Sequence, residues 1–231
     1  MQDYKYKKEP LDFGNYYHIY NRGNNGIAVF FENENYDYFL KLYQQYIHPI
    51  AETFAWCLMK NHFHFLVYIR NEKEVLTDLL EYSTVDKPKV VDPSKQFGHL
   101  FNAYTQAINK KQNRTGSLFE KPFERKRVAS EKYLQNLIYY IHNNPVHHGF
   151  TKTIYEYPWS SYGSIISDKP TNLKRDEVLE IYGSKENFID YHKAEQDLVA
   201  IFDLIIDRNC HLFPFPPNPF RVLNSERVEK K

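Results

Sequence analysis

Two apolar segments separated by two polar residues constrain the fold of this chain more than any other part of its sequence. Residues 53–59 have the composition of a β-strand, and residues 62–69, HFHFLVYI, have that of a second strand. Lys60 and Asn61 are predicted to form the turn between them. Because the second segment is apolar on both faces, the sequence predicts that it lies in the middle of a sheet.

Further strands and helices are predicted on both sides of this pair. Residues 16–23 alternate as a strand does and end at a Gly-Asn-Asn-Gly turn, and residues 117–128 are extended and basic. Helices are predicted after Asn33 as cap, at 97–111, at 130–145 between the cap Ser130 and the terminating Pro145, and once or twice within 173–206. This order of elements predicts the α+β class, an antiparallel sheet covered by helices.

Composition excludes several classes of protein. Only Cys57 and Cys210 are present, so neither a disulfide framework nor a cysteine-rich zinc site is expected, and a reducing cytoplasm fits. The N-terminus shows no signal peptide, and no stretch approaches the roughly 20 apolar residues of a membrane span, so no membrane partner is expected. The formal net charge is +1, so any surface that binds nucleic acid must be a local basic one.

His62 and His64 are the first candidate site residues. They are two positions apart on a predicted strand, so both side chains project from the same face. Two neutral imidazoles on one face suit a divalent metal with an open position for substrate. The alternative is that they are ordinary polar residues at the edge of a strand. Their apolar neighbours favour the metal, because buried imidazoles need hydrogen-bonding or ligand partners.

The helix predicted at residues 130–145 supplies the second group of candidates. Tyr140 and Asn144 lie one turn apart on it, separated by about 40° around the axis. A tyrosine nucleophile and an amide metal ligand could both face the histidine pair from this helix. Taken alone, however, the two residues are equally a half-buried Tyr and a helix-ending Asn. Tyr139 is a second candidate nucleophile, about 100° away around the helix.

Five segments of the chain, in order, resemble those of REP-associated tyrosine transposases, which belong to the His-hydrophobe-His single-strand transposase superfamily. They are YYHIYNRGNN, CLMKNHFHFLV, GSLFEKPFERKRV, YLQNLIYYIHNNPVHHGF and YPWSSY. Two departures are Lys60, where relatives often have Pro, and the pair His142-Asn143, which is usually more apolar.

The resemblance implies a ferredoxin-like core with a metal site and a nucleophile. It implies that His62, His64 and Asn144 bind Mg²⁺ or Mn²⁺ and that Tyr140 attacks a DNA phosphate. Composition along the chain predicts a basic N-terminal arm at 1–13 and a C-terminal helical extension with a Pro-rich tail at 151–231, on either side of a transposase-like catalytic domain at 14–150. No role is assigned to residues 71–95.

The implied reaction is the nicking and rejoining of single-stranded or hairpin DNA, as in DNA transposition. A free tyrosine has a pKa of about 10 and is a poor nucleophile at neutral pH. A metal bound to the scissile phosphate would neutralise developing charge and align the phosphorus with the phenol oxygen. The 5′-phosphotyrosine conserves the energy of the broken bond, so no nucleotide cofactor is expected. The acceptor of the phenol proton stays open, with His142 and a water molecule held by the metal as candidates.

Contact with DNA is predicted at a basic cluster and at the end of the first strand. The candidates are Asn21, Arg22, Lys110, Lys111, Arg114, Lys121, Arg125, Lys126 and Arg127. Tyr16, Tyr17 and Phe123 are either base-stacking or core residues.

Two other functions remain open on sequence grounds. The first is a protein on the same fold that binds DNA or RNA hairpins without cutting them. The second is a histidine-ligated metallohydrolase in which Tyr140 is only structural. A monomer and a homodimer are both open.

Overall fold

The computed structural model describes residues 9–75, 91–194 and 196, and four strands of these residues form one antiparallel sheet. The strands are β1 Asn15–Arg22, β2 Ala51–Met59, β3 His62–Ile69 and β4 Glu124–Val128. Their order across the sheet is β2-β3-β1-β4, and every neighbouring pair is antiparallel. This is the ferredoxin-like order, and it confirms both the predicted α+β class and the central position of β3.

Six α-helices that lie wholly within the described residues cover the two faces of the sheet. They are α1 Asn33–Tyr46, α2 Pro93–Lys111, α3 Glu131–His147, α4 Tyr162–Ile166, α5 Arg175–Tyr182 and α6 Lys185–Lys193. Short 3-10 helices occur at Asn24–Gly26 and Ile154–Glu156. None of the helices in these ranges has the combination of length and apolar character that a bilayer crossing requires.

The alternation of side chains along the strands produces a separate hydrophobic core on each face. Tyr17 and Ile19 of β1 point to one face and pack with α1 and α2. Cys57 of β2 and Leu66 of β3 point to the opposite face and pack with α3 to α6. The helices that follow α3 therefore share a core with it.

Three predicted helix ends differ from those observed, each for a local reason. The cap of α1 is Glu32 rather than Asn33, because Glu32 and Asn35 bond reciprocally to each other's backbone. The start of α2 is Pro93 rather than residue 97, because the Asp92 side chain accepts bonds from the first-turn amides. Finally, α3 continues through Pro145 to His147. Proline is tolerated there because only one hydrogen bond of the last turn is lost.

Parts of the predicted domain layout fall outside the described residues. Of the basic arm, residues 9–13 are described, and Leu11 is buried in the first core. Residues 76–90 of the unassigned segment and the Pro-rich tail at 211–220 are not among the described residues.

Candidate active site

His62 and His64 both project from β3 toward α3, as strand alternation predicts. Their ring centroids are 5.3 Å apart, and both side chains are buried. Burial, with smaller contributions from His148 and Arg22, lowers the pKa of His62 to about 3. Burial, reinforced by the neighbouring histidines, also holds the pKa of His64 well below its ordinary value. Both rings are therefore neutral near pH 7, which is the form that binds a metal.

Asn61 fixes the orientation of His62. Nδ1 of His62 lies 2.7 Å from Oδ1 of Asn61 and must donate to it, since an amide oxygen only accepts. The neutral ring then has its lone pair on Nε2. This Nε2 atom is buried and has no hydrogen-bond partner.

Asn144 presents a second unsatisfied acceptor beside His62. Its Nδ2 donates to the backbone oxygen of Tyr140 over 2.9 Å, and this bond fixes the amide orientation. Its Oδ1 is buried without a partner. The Asn144 side chain is close enough to raise the pKa of His62 through a hydrogen bond to the protonated ring, but neither His62 Nε2 nor Asn144 Oδ1 has a partner when the ring is neutral. Two buried acceptors thus lie side by side with no donor, and each lost bond costs about 1–3 kcal/mol.

His64 is bonded through its other ring nitrogen to a residue that the sequence analysis did not single out. Its Nδ1 lies 2.9 Å from Nε2 of His18 on β1, and the two rings are stacked 5.1 Å apart. Tyr20, also on β1, stacks on His64 at 5.7 Å. This arrangement leaves Nε2 as the nitrogen of His64 that could bind a cation.

The two neighbouring tyrosines on α3 pack in different places, and Tyr140 is the one whose ring faces His64. Its ring lies 5.5 Å from that of His64 and 6.3 Å from that of His18, in edge geometry. Tyr139 instead packs 6.0 Å from Tyr191 and 5.6 Å from His192. The 100° step between consecutive helical residues accounts for this separation.

His142 takes part in a different network, on the side of α3 away from the site. Its Nδ1 lies 3.0 Å from Nε2 of His192, and its Nε2 lies 2.8 Å from the Ser161 hydroxyl. His192 Nδ1 donates to the Phe188 carbonyl. Both nitrogens of His142 are therefore occupied, and burial lowers its pKa well below the ordinary value. His142 is not placed to accept a proton from Tyr140.

His148 is another residue of the site that the sequence analysis missed. It caps the C-terminus of α3, and its ring lies 4.8 Å from that of His62. In the sequence, His148 stands out only as part of the pair His147-His148. Two adjacent histidines are not a specific signal for a site residue.

The fit of these residues to a divalent metal rests on the unsatisfied acceptors. Among the described residues, no group of three or more His, Cys, Asp and Glu side chains could hold a metal ion. The candidate ligands include an amide, because they are His62, His64 and the side chain of Asn144. A cation bound to His62 Nε2 and Asn144 Oδ1 would satisfy both atoms, so the residues fit the implied metal.

Strand alternation divides the predicted DNA-binding residues between the two faces of the sheet. Arg22 is the cross-strand partner of His62, and Lys126 is the cross-strand partner of His18, so both lie on the face of the site. Arg22 also forms an ion pair of 3.7 Å with Glu120. Arg125 and Arg127 alternate with Lys126 and point to the opposite face.

The remaining predicted contacts differ in how accessible they are. Lys110, Lys111, Lys121 and Arg127 are exposed. Lys111 pairs with Glu32, and Arg114 donates to Asn109. Asn21 is buried and accepts from the Arg22 amide. Arg125 donates to Ser94 and lies 4.1 Å over the ring of Phe123.

The three aromatic residues considered for base stacking are all packed within the fold. Tyr17 and Phe123 belong to the first core. Tyr16 is half-buried and packs 5.0 Å from both Phe54 and Tyr68.

Comparison with known proteins identifies relatives in sequence and in fold. No profile of a known protein family matches the chain. A protein of Haemophilus influenzae named "Putative REP-associated tyrosine transposase" is 25% identical over 116 residues, which make up 50% of this chain and 61% of the relative. A solved structure of a REP-associated tyrosine transposase bound to a REP hairpin superposes with a TM-score of 0.51 at 16% identity, over 74% of this chain and 89% of that one. The chain is therefore similar to REP-associated tyrosine transposases in sequence, over half of its length, and in fold.

Proposed function

We propose that this protein nicks and rejoins single-stranded or hairpin DNA, with Tyr140 as nucleophile and a divalent metal bound by His62, His64 and Asn144. The observation that carries the proposal is the pair of buried acceptors, His62 Nε2 and Asn144 Oδ1, next to a tyrosine on the same face of the sheet. A fold that only bound hairpins would have no need to bury two unsatisfied atoms there.

The proposed reaction is a phosphoryl transfer to the phenol. The Oη atom of Tyr140 attacks the phosphorus, its O–H bond breaks, and a new O–P bond forms. The bond between phosphorus and the 3′ oxygen of the preceding nucleotide breaks, and that oxygen takes up a proton to become a free 3′-OH. The enzyme then carries a 5′-phosphotyrosine, and the reverse reaction rejoins a strand without an energy source.

The metal, when bound, neutralises charge that develops on the phosphate. The protein supplies the orientation. Asn61 holds His62, the backbone of α3 holds Asn144, and the edge contact with His64 places Tyr140 beside them. Burial of both histidines keeps them neutral, so that they do not compete with the cation through their own charge.

Positive charge beside the site favours a DNA backbone as ligand. Arg22 and Lys126 lie on the same face as His62 and His64, at the two sides of the histidine cluster. Phosphates held there would be close to Tyr140. The relative solved with a REP hairpin supports hairpin DNA as the form to test first.

The proposal is tested by trapping the covalent intermediate. The purified chain is incubated with a hairpin oligonucleotide carrying single-stranded flanks and labelled at its 3′ end, with Mn²⁺ or with EDTA, and is run on a denaturing gel. The label is expected on the protein only with the metal, because the 5′-phosphotyrosine carries the downstream fragment. The upstream fragment is expected to be extended by a polymerase from its free 3′-OH.

Tyr140→Phe is expected to abolish the adduct, and Tyr139→Phe is the matched control. Both replace one phenol on the same helix, but Tyr139 packs against Tyr191 and His192 and should leave the adduct yield unchanged. Binding without any adduct would support the non-catalytic reading. Cleavage that survives Tyr140→Phe would support a metallohydrolase instead.

A further inference from the structure

His18 is a fully buried histidine that the proposed reaction does not use. It lies in the middle of β1, with its Nε2 atom 2.9 Å from Nδ1 of His64. Its ring centroid lies 4.7 Å from that of Tyr20 and 6.3 Å from that of Tyr140. A polar ring placed so deeply in a sheet calls for a specific partner, and one such partner is the proposed metal ligand His64.

The bond between the two rings has a chemical consequence for His64. A neutral imidazole has one N–H, so the proton in this bond belongs either to Nδ1 of His64 or to Nε2 of His18. In the first case His64 has a free lone pair on Nε2 and can bind a cation. In the second case Nε2 of His64 carries the proton and cannot do so.

His62, the other proposed metal-binding histidine, shows which ring nitrogen carries the proton at this site. Its Nδ1 donates to Oδ1 of Asn61, and its lone pair is on the unpartnered Nε2. If His18 accepts from His64 in the same way, the rings of His62 and His64 both have their lone pairs on Nε2. The two side chains project from the same face of β3. Metal-binding histidines commonly donate their second N–H to a fixed acceptor in this manner.

We propose that His18 is a positioning residue that holds the proton of His64 on Nδ1 and keeps Nε2 of His64 available to a divalent cation. The inference rests on the proposed function, since it assigns His18 a role toward a metal ligand. In this role His18 would bind neither the cation nor the substrate itself. It acts for His64 as Asn61 acts for His62.

The decisive measurement needs no metal and no DNA. Two-bond ¹H–¹⁵N correlation spectra of the metal-free protein report which nitrogen of each imidazole carries the proton, and the His64 signals are assigned by their loss in His64→Gln. We expect His64 to be protonated on Nδ1. A proton on Nε2 of His64 would overturn the proposal, whether or not the protein cuts DNA.

Variants of His18 add a second readout. His18→Leu removes the acceptor and is expected to weaken Mn²⁺ binding about 10–100-fold, as loss of such partners does elsewhere. His18→Gln keeps an acceptor oxygen and should recover most of this loss. Binding is measured by electron paramagnetic resonance of free Mn²⁺, and folding of each variant is checked by thermal unfolding.

His192→Leu is the matched control for burial. It also removes a buried histidine bonded to a second histidine, but on the far side of α3. It should cost stability and leave Mn²⁺ affinity unchanged. Unchanged affinity in His18→Leu would overturn the positioning role, whereas failure of the unaltered protein to bind Mn²⁺ would overturn the metal-dependent function.

Discussion

At the scale of single residues, Asn144 is expected to lower the stability of the metal-free protein and to contribute to metal binding. Its Oδ1 atom is buried without a donor, which costs about 1–3 kcal/mol when no cation is present. Asn144→Leu removes that oxygen and gives up the hydrogen bond from Nδ2 to the backbone oxygen of Tyr140. We expect the metal-free variant to unfold at the same temperature as the unaltered chain or above it.

The same variant should no longer respond to metal. A ligand at 100 times its dissociation constant stabilises a protein by about 2.7 kcal/mol, so Mn²⁺ should raise the melting temperature of the unaltered chain but not of Asn144→Leu. Asn136→Leu is the control for metal binding, because Asn136 is a buried amide of the same helix whose Oδ1 accepts from Tyr191 and whose Nδ2 is, like Asn144 Oδ1, buried without a partner. It should keep the response to Mn²⁺. A clear loss of stability in metal-free Asn144→Leu would contradict the argument.

The residues of the site divide into those that local spacing predicts and those that it does not. The two-residue spacing of His62 and His64 places them on one face of any strand, and the spacing of Tyr140 and Asn144 places them one helical turn apart. His18 has no such partner within its own segment. Its contact with His64 depends on the register between β1 and β3, which sets Tyr20 opposite His64 and His18 opposite Leu66. No short-range pattern encodes that register.

At the scale of elements, β1, β2 and β3 were predicted to within two residues at each end, whereas β4 begins at Glu124, seven residues after the predicted start of the extended segment at 117. The limits of β3 follow from its own apolar run, whereas the first turn of α2 is polar and lacks a periodic signal. The start of α2 is set by Asp92, whose carboxylate accepts from the Ser94 amide over 2.8 Å, with Pro93 as the first helical residue. A cap followed by proline is the local signal that could have located it.

Asp92 is therefore expected to contribute to stability as the N-cap of α2, through the bonds that its side chain accepts from the first-turn amides. Asp92→Ala should lower the free energy of unfolding by about 1 kcal/mol, because the first-turn amides lose their acceptor. Asp92→Asn keeps an acceptor oxygen at the same position and should retain most of that stability. Urea unfolding of the three proteins measures the difference. An equal loss in both variants would assign the effect to charge, through the neighbouring Arg125, rather than to the cap.

At the scale of the whole molecule, the sheet separates two cores, and a chain of hydrogen bonds joins the elements of the second. The Trp56 amide donates to the Ser161 hydroxyl, which lies 2.8 Å from His142 Nε2. Because His192 donates to the Phe188 carbonyl, its Nε2 must accept from His142, and Ser161 must donate to His142. Every member is satisfied only while both histidines are neutral. The sequence could not reveal this chain, because it joins β2, α3 and α6 across long separations.

The hydrogen bonds of His142 and His192 predict that the protein loses stability in acid. Burial lowers the pKa of His192 from its ordinary 6.5 to about 4. Between these values the unfolded chain binds a proton at His192 that the native protein does not, so the free energy of unfolding falls as pH drops from about 6.5 toward 4. One such group accounts for up to about 3 kcal/mol.

The prediction is checked by urea unfolding at pH 7, 6 and 5. The free energy of unfolding should depend less steeply on pH in His192→Gln, whose oxygen can still accept from His142. An unchanged slope in His192→Gln would mean that acid acts on this fold elsewhere.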